Sequence, residues 1–308
     1  MYGFVLRRVA QAIVAILGVT TLVFFVQRLT GDPTLLLLPE TATQADVDAM
    51  RHTLGLDRPM IAQYASYLWD ILHLDFGRSY TQFVPVGQLI IPRIPYTLAL
   101  TGCALVIALG IGVPVGIVLA LYRDHKATSV LMGIVIAAQS MPTFWSGILF
   151  MLIFAVTLEW LPASGAAGFE SIILPSVALG LLSMATFARV TRMAVIDELS
   201  KHYVRTAKAK GISTFRLITH HLLRNASIPI ITVAALEISN LLAGAVIVET
   251  VFAWPGLGLL TIQSIVSRDF MVVQSIVLIA AFITVFLSLF ADLLYAAVDP
   301  RIRLETST

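Results

Sequence analysis

The chain has 308 residues, of which 58% are hydrophobic and only 12% are charged, and its mean hydropathy is +0.91. These values lie far outside the averages for soluble globular domains and exclude a water-soluble fold, which would aggregate. The formal net charge of +2 is too small to indicate a nucleic-acid partner, and the single cysteine, Cys103, excludes an intrachain disulfide.

The first apolar stretch follows the pair Arg7 and Arg8. Cleavable signal peptides have shorter apolar regions that end at a small-residue site, whereas this stretch runs into Gln27 and Arg28. We therefore interpret it as a retained first transmembrane helix. Six stretches are long enough to cross the hydrocarbon core as helices, namely residues 9–27, 97–121, 130–158, 172–190, 226–248 and 271–298. The sequence thus predicts an all-α polytopic membrane protein, with residues 1–308 forming one transmembrane domain.

The distribution of basic residues predicts the orientation, since Lys and Arg near helix ends are retained in the cytoplasm. One face collects most of them, with few acids: Arg7, Arg8, Arg123, Lys126, Arg189, Arg192, Lys201, Arg205, Lys208, Lys210, Arg216, Arg224, Arg301 and Arg303. The other face carries few arginines and most of the acidic residues. Both termini are therefore expected on the cytoplasmic side.

The extracytoplasmic loop, residues 29–96, is long enough to have structure of its own. Thr43 and Asp46 have the pattern of a helix N-cap, and Leu54-Gly55 indicates where that helix ends. After Pro59 a second, amphipathic helix is predicted from apolar residues at helical spacing, which are Ile61, Tyr64, Leu68, Ile71 and Leu72. These helices either form an external platform or lie on the lipid surface. A protein that delivers a solute would have to dock on this side.

The longest basic loop, residues 191–225, has the pattern of two helices around one turn. The first is predicted over residues 197–209, Gly211 provides the permissive backbone for its end, and Ser213 caps a second helix that begins at Thr214. The chain has no Gly-x-x-x-x-Gly-Lys-Ser/Thr phosphate loop, so any ATPase must be another subunit. Such a hairpin either transmits force from that subunit, or its basic residues only fix the orientation.

The segment from Tyr203 to Gly211, followed by His221-Leu-Leu-Arg-Asn-Ala226 and Pro229, resembles the "EAA" loop of ABC importer permeases, and in particular those of the dipeptide, oligopeptide and nickel family. Agreement extends over essentially the whole chain, through Gly31-Asp-Pro33, Gly55-Leu-Asp57, Asp75-Phe-Gly77, Leu161-Pro162, Val248-Glu-Thr-Val-Phe-Ala-Trp-Pro-Gly-Leu-Gly258 and Asp299-Pro-Arg-Ile-Arg303. Arg205 departs from the broader motif, which has a glutamate there.

The resemblance implies a coupling helix that fits a groove on the ATP-binding subunit. Its residues would be Thr206, Ala207, Lys208, Ala209, Lys210, Gly211 and Ile212. The chain itself would need no cofactor and catalyse no reaction, because ATP and Mg²⁺ would be bound by the partner subunits. It would form half of a translocation path for peptides or related small solutes. The implied partners are a homologous second permease, two ATP-binding subunits and an extracytoplasmic solute-binding protein, in the inner membrane of a prokaryote.

Few ionisable residues lie within the predicted spans. Glu237 lies in the fifth span and Asp292 in the sixth, and a buried acid at membrane depth usually faces a cavity or a partner. We predict that Glu237 borders the translocation path, the alternative being a structural pair with a neighbouring helix or subunit. Pro142 is expected to kink the third span and expose carbonyl groups to an aqueous cavity. The span glycines are interpreted as packing positions, namely Gly110, Gly112, Gly116, Gly180 and Gly244.

Two other classes of protein remain as alternatives. A secondary transporter or channel driven by an ion gradient should show inverted repeats or acid and base relays, and no second copy of a span is visible. An intramembrane hydrolase needs a nucleophile and a base at membrane depth, where no histidine is predicted. No metal site is predicted either, because the histidines fall in loops or at surfaces: His52, His73, His125, His202, His220 and His221.

Overall fold

The computed structural model describes residues 2–29, 34, 38, 41–53 and 55–298. In the first helix the side chains are described for residues 6–26, and in the last helix they are described as far as residue 290. The motif Gly31-Asp-Pro33, Leu54, the side chain of Asp292 and residues 299–303 lie outside this part. The α-helices in it are α1 (Tyr2–Leu29), α2 (Gln44–Thr53), α3 (Met60–Leu72), α4 (Val86–Ile90), α5 (Ile94–Leu121), α6 (Lys126–Ser140), α7 (Thr143–Phe150), α8 (Ile173–Leu199), α9 (His202–Ala209), α10 (Thr214–Arg216), α11 (Leu223–Val251), α12 (Leu257–Val266) and α13 (Phe270–Val298).

Five helical stretches in the described ranges are long and apolar enough to cross a membrane. They are Leu6–Val26, Val86–Leu121, Phe169–Leu199, Thr214–Val251 and Phe270–Phe290. A sixth span consists of two helical pieces, Lys126–Ser140 and Thr143–Thr157, bent by 107° at the break between them. The second piece is α7 continued by a π-helix, Met151–Thr157. The prediction of six transmembrane helices is confirmed, with one span broken.

The third span is broken rather than kinked, which corrects the prediction of one continuous helix over residues 130–158. Helix α6 ends at Ser140, Met141 is extended (φ −79°, ψ 128°), and Pro142 is the N-cap residue of α7. Proline forces the preceding residue out of the helical region and has no N–H to donate, so the helix stops here and restarts in a new direction. The side chain of Gln139 accepts a hydrogen bond from Arg189 Nη1 (2.7 Å), which fixes the end of α6 against α8.

Helices α5 and α8 form the centre of the bundle, and their backbones approach closely. A Cβ atom on Gly116 would lie 2.5 Å from the carbonyl oxygen of Ala188, and one on Gly180 would lie 2.8 Å from that of Ala104. Glycine is required at these positions because any side chain would push the two helices apart. The packing prediction therefore holds at Gly116 and Gly180, whereas a Cβ atom on Gly110 would meet no atom within 4 Å.

Two apolar clusters lie at opposite ends of this bundle. At one end, Ala120 of α5 and Val195 of α8 pack with residues of α9 and of the π-helix Leu217–Leu222. We call this the loop end. At the opposite end, Val86 of α4 packs with Leu260 of α12 and Val272 of α13. Helix α11 connects the two ends, because Ala226 belongs to the first cluster and its last turns lie beside α12.

The segment between α1 and α4, residues 30–85, which we call the external segment, contains the two helices that the sequence predicts. Thr43 Oγ1 donates to Asp46 Oδ2 (2.7 Å) and accepts from Asp46 N (3.4 Å), which confirms the predicted cap of α2. The amphipathic α3 packs on α1, where the rings of Tyr64 and Phe24 have centroids 5.2 Å apart. Only part of the predicted apolar stripe is covered, because Ile61 and Leu72 are exposed in the described structure.

The close approach of α5 and α8 yields a stability prediction. Gly116→Ala should lower the thermal unfolding midpoint of the detergent-purified protein, because the new methyl group overlaps the backbone of α8. Overpacking of this kind costs about 1–3 kcal/mol. Gly110→Ala on the same helix is the matched control and should be neutral or slightly stabilising, since alanine favours helix more than glycine does. Equal midpoints for the two variants would contradict the packing interpretation.

Candidate functional site

The basic loop begins with a break that the sequence pattern did not predict. Helix α8 continues to Leu199, and α9 begins only at His202 after Lys201, whose backbone is extended (ψ 149°). The single helix predicted over residues 197–209 is therefore wrong. Ser200 Oγ donates to the carbonyl oxygen of Asp197 (2.6 Å) at the last turn of α8. A hydroxyl that bonds to a nearby carbonyl competes with the helical pattern and favours such an end.

The end of α9 is formed as predicted by Gly211. Its φ is +75°, a left-handed value that glycine adopts without strain. Ile212 N donates to the carbonyl oxygen of Ala207 (3.2 Å), and Gly211 N donates to that of Lys208 (3.0 Å), which is the Schellman pattern of a helix C-terminus. The next helix starts at Thr214 after Ser213, but Ser213 caps it without a side-chain hydrogen bond.

The predicted coupling residues divide into an exposed and a buried set. Ala207 is buried, Ile212 is half-buried, and the others are exposed: Thr206, Lys208, Ala209, Lys210 and Gly211. Val204, one turn before Lys208, is buried in the same cluster as Ala207. The turn is therefore anchored on α5 and α8 by its apolar face. Its free face carries two lysines and lies beside Phe215, whose side chain is 77% exposed.

Glu198 connects this turn to the spanning helices, and no role was predicted for it. The residue is 6% exposed and accepts hydrogen bonds from Lys201 Nζ, from Tyr203 OH (2.5 Å) and from Asn225 Nδ2 (3.2 Å). The last turn of α8, the first turn of α9 and the start of α11 thus meet at one carboxylate. Burial and the bond to Glu198 raise the pKa of Tyr203, so that its hydroxyl remains a donor at neutral pH.

Glu237 and Pro142, the residues predicted to border the path, lie on elements in contact with each other. Glu237 is 8% exposed and accepts from Ser183 Oγ (2.5 Å) on α8 and from Asn240 Nδ2 (3.4 Å) on its own helix. Pro142 is exposed at the break between α6 and α7, and α7 packs against both α8 and α11. The carboxylate therefore connects α8 to α11 behind the broken span. Its part in solute passage stays a prediction.

A second buried carboxylate lies at the end of the bundle opposite the loop. Glu249 is 0% exposed; its Oε1 accepts from Thr97 Oγ1 (2.6 Å), and its Oε2 accepts from the backbone N–H groups of Gly258 (2.6 Å) and Leu259 (3.1 Å). A Cβ atom on Gly256 would lie 2.2 Å from Glu249 Oε1, so the glycine makes room for the carboxylate. In the sequence, this buried carboxylate could have been found from Glu249 followed five residues later by Trp254-Pro-Gly-Leu-Gly258, a segment rich in glycine whose backbone N–H groups can approach an acid.

Asp269 fixes the external segment to the start of α13. It is 1% exposed and accepts from Ser79 Oγ, from Thr81 Oγ1 (2.8 Å) and from the backbone N–H of Tyr80 (3.2 Å). Burial by itself raises the pKa of this carboxyl, but the hydrogen bonds from Ser79, Thr81 and Tyr80 outweigh burial and lower the pKa below its ordinary value. The loop before α4 is thereby held against the junction of α12 and α13.

The long apolar helices and the exposed turn between α8 and α11 define the class of polytopic α-helical membrane proteins. The fold agrees with this class: it is similar to that of a solved inward-facing MetNI methionine ABC transporter, with a TM-score of 0.61 at 19% identity, over 69% of this chain and 97% of that chain.

The chain belongs to the family of binding-protein-dependent transport system inner membrane components, which residues 112–304 match, and residues 1–101 match the N-terminal region described for such membrane components. It is 37% identical to the dipeptide transport system permease protein DppB of Escherichia coli (strain K12), over 98% of this chain and 99% of that protein. It is 40% identical to the glutathione transport system permease protein GsiC of Salmonella choleraesuis (strain SC-B67), with the same coverage. The chain is therefore an ABC importer permease.

The contacts of Asp269 predict a pH-dependent stability. A lowered pKa means that the carboxylate stabilises the fold above the ordinary value of 3.8, and that this contribution is lost as the pH falls through the folded-state pKa. Asp269→Asn should lower the thermal midpoint at pH 7 by the equivalent of about 1–3 kcal/mol, the cost of unsatisfied buried donors. Below pH 3.8 the difference from wild type should shrink. Asp70→Asn, at an exposed position, is the control, and a difference that is constant with pH would contradict the prediction.

The hydrogen bonds of Glu198 predict that the basic turn loosens when they are removed. Tyr203→Phe deletes the donor to Glu198 and should increase the rate of protease cleavage within residues 200–213 roughly fivefold, since one net hydrogen bond contributes about 1 kcal/mol. Cleavage is followed by mass spectrometry of the intact protein. Tyr122→Phe, at an exposed position of the same end of the bundle, is the matched control. Unchanged cleavage in Tyr203→Phe would show that the apolar cluster alone holds the turn.

Proposed function

We propose that the chain forms half of the translocation path of an importer for di- or oligopeptides or related small solutes. Support for a peptide substrate comes from relatives that match over nearly their whole length: their names state dipeptide transport and glutathione transport. Both solutes are short and peptide-like, with charged groups and amide bonds. The solute itself would be captured first by an extracytoplasmic binding protein and delivered to the external segment, where α2 and α3 lie.

The observation that carries the proposal is the exposed turn of Thr206, Lys208, Ala209, Lys210 and Gly211. We infer that this turn enters a groove on an ATP-binding subunit, with Ala207 and Ile212 holding its shape from behind. An ATPase that closes around ATP and Mg²⁺ would displace the turn. Because Glu198 and the apolar cluster join the turn to α5, α8 and α11, that displacement would move the three spans together. Hydrolysis would return them, each state being another packing of the same helices.

The proposed complex contains a homologous second permease and two ATP-binding subunits in addition to the binding protein. This chain would lie in the inner membrane with both termini in the cytoplasm, on the side of the basic turn. The excess of Lys and Arg at the loop end supports this orientation, since basic residues are retained in the cytoplasm. The chain would bind no cofactor, because ATP and Mg²⁺ belong to the partner subunits.

We infer further that Pro142 and Glu237 border the path. The break at Pro142 leaves helix ends between α6 and α7, where backbone groups without a helical partner need water or another polar group. Glu237 lies on α11, which α7 contacts. Its bond to Ser183 would keep α8 and α11 in register beside the broken span during the motion.

Substitution of Gly211 tests the coupling proposal. A left-handed backbone costs a residue other than glycine about 1–2 kcal/mol, which lowers the ratio of native to non-native turn by a factor of roughly 5–30 and sets the upper limit of the effect. Gly211→Ala should therefore reduce ATP-driven uptake of labelled dipeptide, oligopeptide or glutathione into liposomes that contain the whole complex by up to that factor. Gly211→Pro should abolish it, because proline cannot adopt a positive φ. Basal ATP hydrolysis by the partner subunits should change much less.

Gly165 supplies the control for backbone strain. Its φ is +84° and a Cβ atom there would meet no atom within 4 Å, so Gly165→Ala introduces a similar strain far from the basic turn. This variant should retain uptake. Copurification of ATP-binding subunits with wild type is the accompanying measurement. If the chain purifies without them and takes up solute down an ion gradient, the importer proposal fails and the secondary-transporter alternative applies.

A further inference from the structure

Helix α12 is an apolar helix between two spans that is itself too short to cross the membrane. Its 10 residues extend over about 15 Å, half of a hydrocarbon core of about 30 Å. It lies at the end of the bundle opposite the loop, where Leu257 and Leu260 are buried against α4 and α13. A helix of this length closes one end of the bundle without continuing through it.

The first turn of α12 is capped by two other helices. Leu257 N donates to Thr97 Oγ1 (2.8 Å) on α5, whereas Gly258 N and Leu259 N donate to the carboxylate of Glu249 on α11. Thr97 Oγ1 in turn donates to Glu249 Oε1 (2.6 Å). Gly256, at the N-cap position, has no side chain to contribute. We refer to Thr97 and Glu249 together as the clasp.

A cavity of about 170 Å³ lies directly against the clasp. Thr97, Gly258 and Thr261 form one wall, and apolar residues of α11 and α13, including Val246 and Ile276, form the others. The cavity is partly open in this structure, and its mostly apolar lining binds water poorly. Separation of α12 from α5 would admit water from the end at which α12 lies.

An ordinary helix cap is the side chain of the residue next to the helix, so the cap remains in place when the helix moves. Here the caps come from α5 and α11, so the position of α12 depends on how these two helices lie relative to each other. The same helices contact the coupling turn at the loop end, through Ala120 and Ala226. A shift of α11 along α5 that begins at the turn must therefore lengthen the bond between Thr97 and Glu249.

We propose that Thr97 and Glu249 are positioning residues of an outer gate. While their hydrogen bonds are intact, α12 seals the extracytoplasmic end of this half of the path; when α5 and α11 shift, the bonds separate and α12 moves aside. The gate rests on the proposed function, because it presumes that solute passes beside these helices. It does not depend on which solute is carried.

The test measures water access to the cavity in the intact complex. In a Cys103→Ala background, Thr261→Cys places a single reporter thiol in the cavity wall, and a membrane-impermeant maleimide is added from the extracytoplasmic side without nucleotide. Thr97→Val keeps the shape of the side chain and removes the hydroxyl, so the rate of labelling should rise about fivefold to thirtyfold, as expected for one or two lost hydrogen bonds of about 1 kcal/mol each. Glu249→Gln should act in the same direction. Thr97→Ser keeps the hydroxyl and should match the wild-type clasp.

A second reporter separates gating from loss of the fold. Thr191→Cys lies buried in α8 at the loop end, so for this reporter the maleimide is added from the side of the basic turn, and it should remain unlabelled in every clasp variant. If labelling at position 261 is the same with Thr97→Val, Glu249→Gln and the intact clasp, the gate proposal is overturned. It is also overturned if position 191 becomes labelled in parallel, since the clasp would then only hold the fold. Failure of the proposed function has a different signature, the absence of ATP-dependent uptake by the wild-type complex.

Discussion

The close contact between α5 and α8 is the constraint on which the other features of the structure depend. At Gly116 and Gly180, which have no side chain, the two backbones come within van der Waals distance. Helix association inside a bilayer relies on such packing, because lipid supplies no hydrophobic force between helices. Helix α11 and the broken third span pack on this pair. The coupling turn at one end and α12 at the other are both attached to helices whose separation this contact sets.

Two buried carboxylates lie near the two ends of this frame, and each binds one of the parts that are proposed to move. Glu198 joins the coupling turn to α8 and α11, and Glu249 joins α12 to α5 and α11. Glu198 accepts from Lys201, Tyr203 and Asn225. Glu249 accepts from Thr97 of α5 and from two backbone N–H groups of α12. Each carboxylate therefore defines a geometry that an apolar contact alone would leave adjustable. Helix α11 takes part in both, so it joins the loop end of the bundle to the opposite end, and in the proposed mechanism it would carry motion between them.

In an ABC importer the permease and the ATP-hydrolysing parts are separate subunits, and the features of this chain are those of the permease. The chain supplies spans, a broken helix that contacts α11 and an exposed turn, whereas in ABC systems ATP is hydrolysed by separate subunits. A rigid turn suits that purpose, since Gly211 fixes its reversal and Val204 and Ala207 anchor it. Full-length similarity to permeases of dipeptide and glutathione transport systems agrees with this interpretation of the fold as a permease.

The sequence by itself determined the six spans, the end of α9 at Gly211 and the cap of α2, because each depends on local length, hydrophobicity or backbone freedom. A contiguous motif also predicted where the exposed turn at Gly211 lies, and its part in coupling to an ATPase stays a proposal. Only the tertiary structure decided the roles of Glu198 and Glu249, and it replaced the expected kink at Pro142 by a full break. The reason is distance along the chain: Thr97 and Glu249 are 152 residues apart, and no local periodicity encodes a contact that exists only once α5 and α11 have packed.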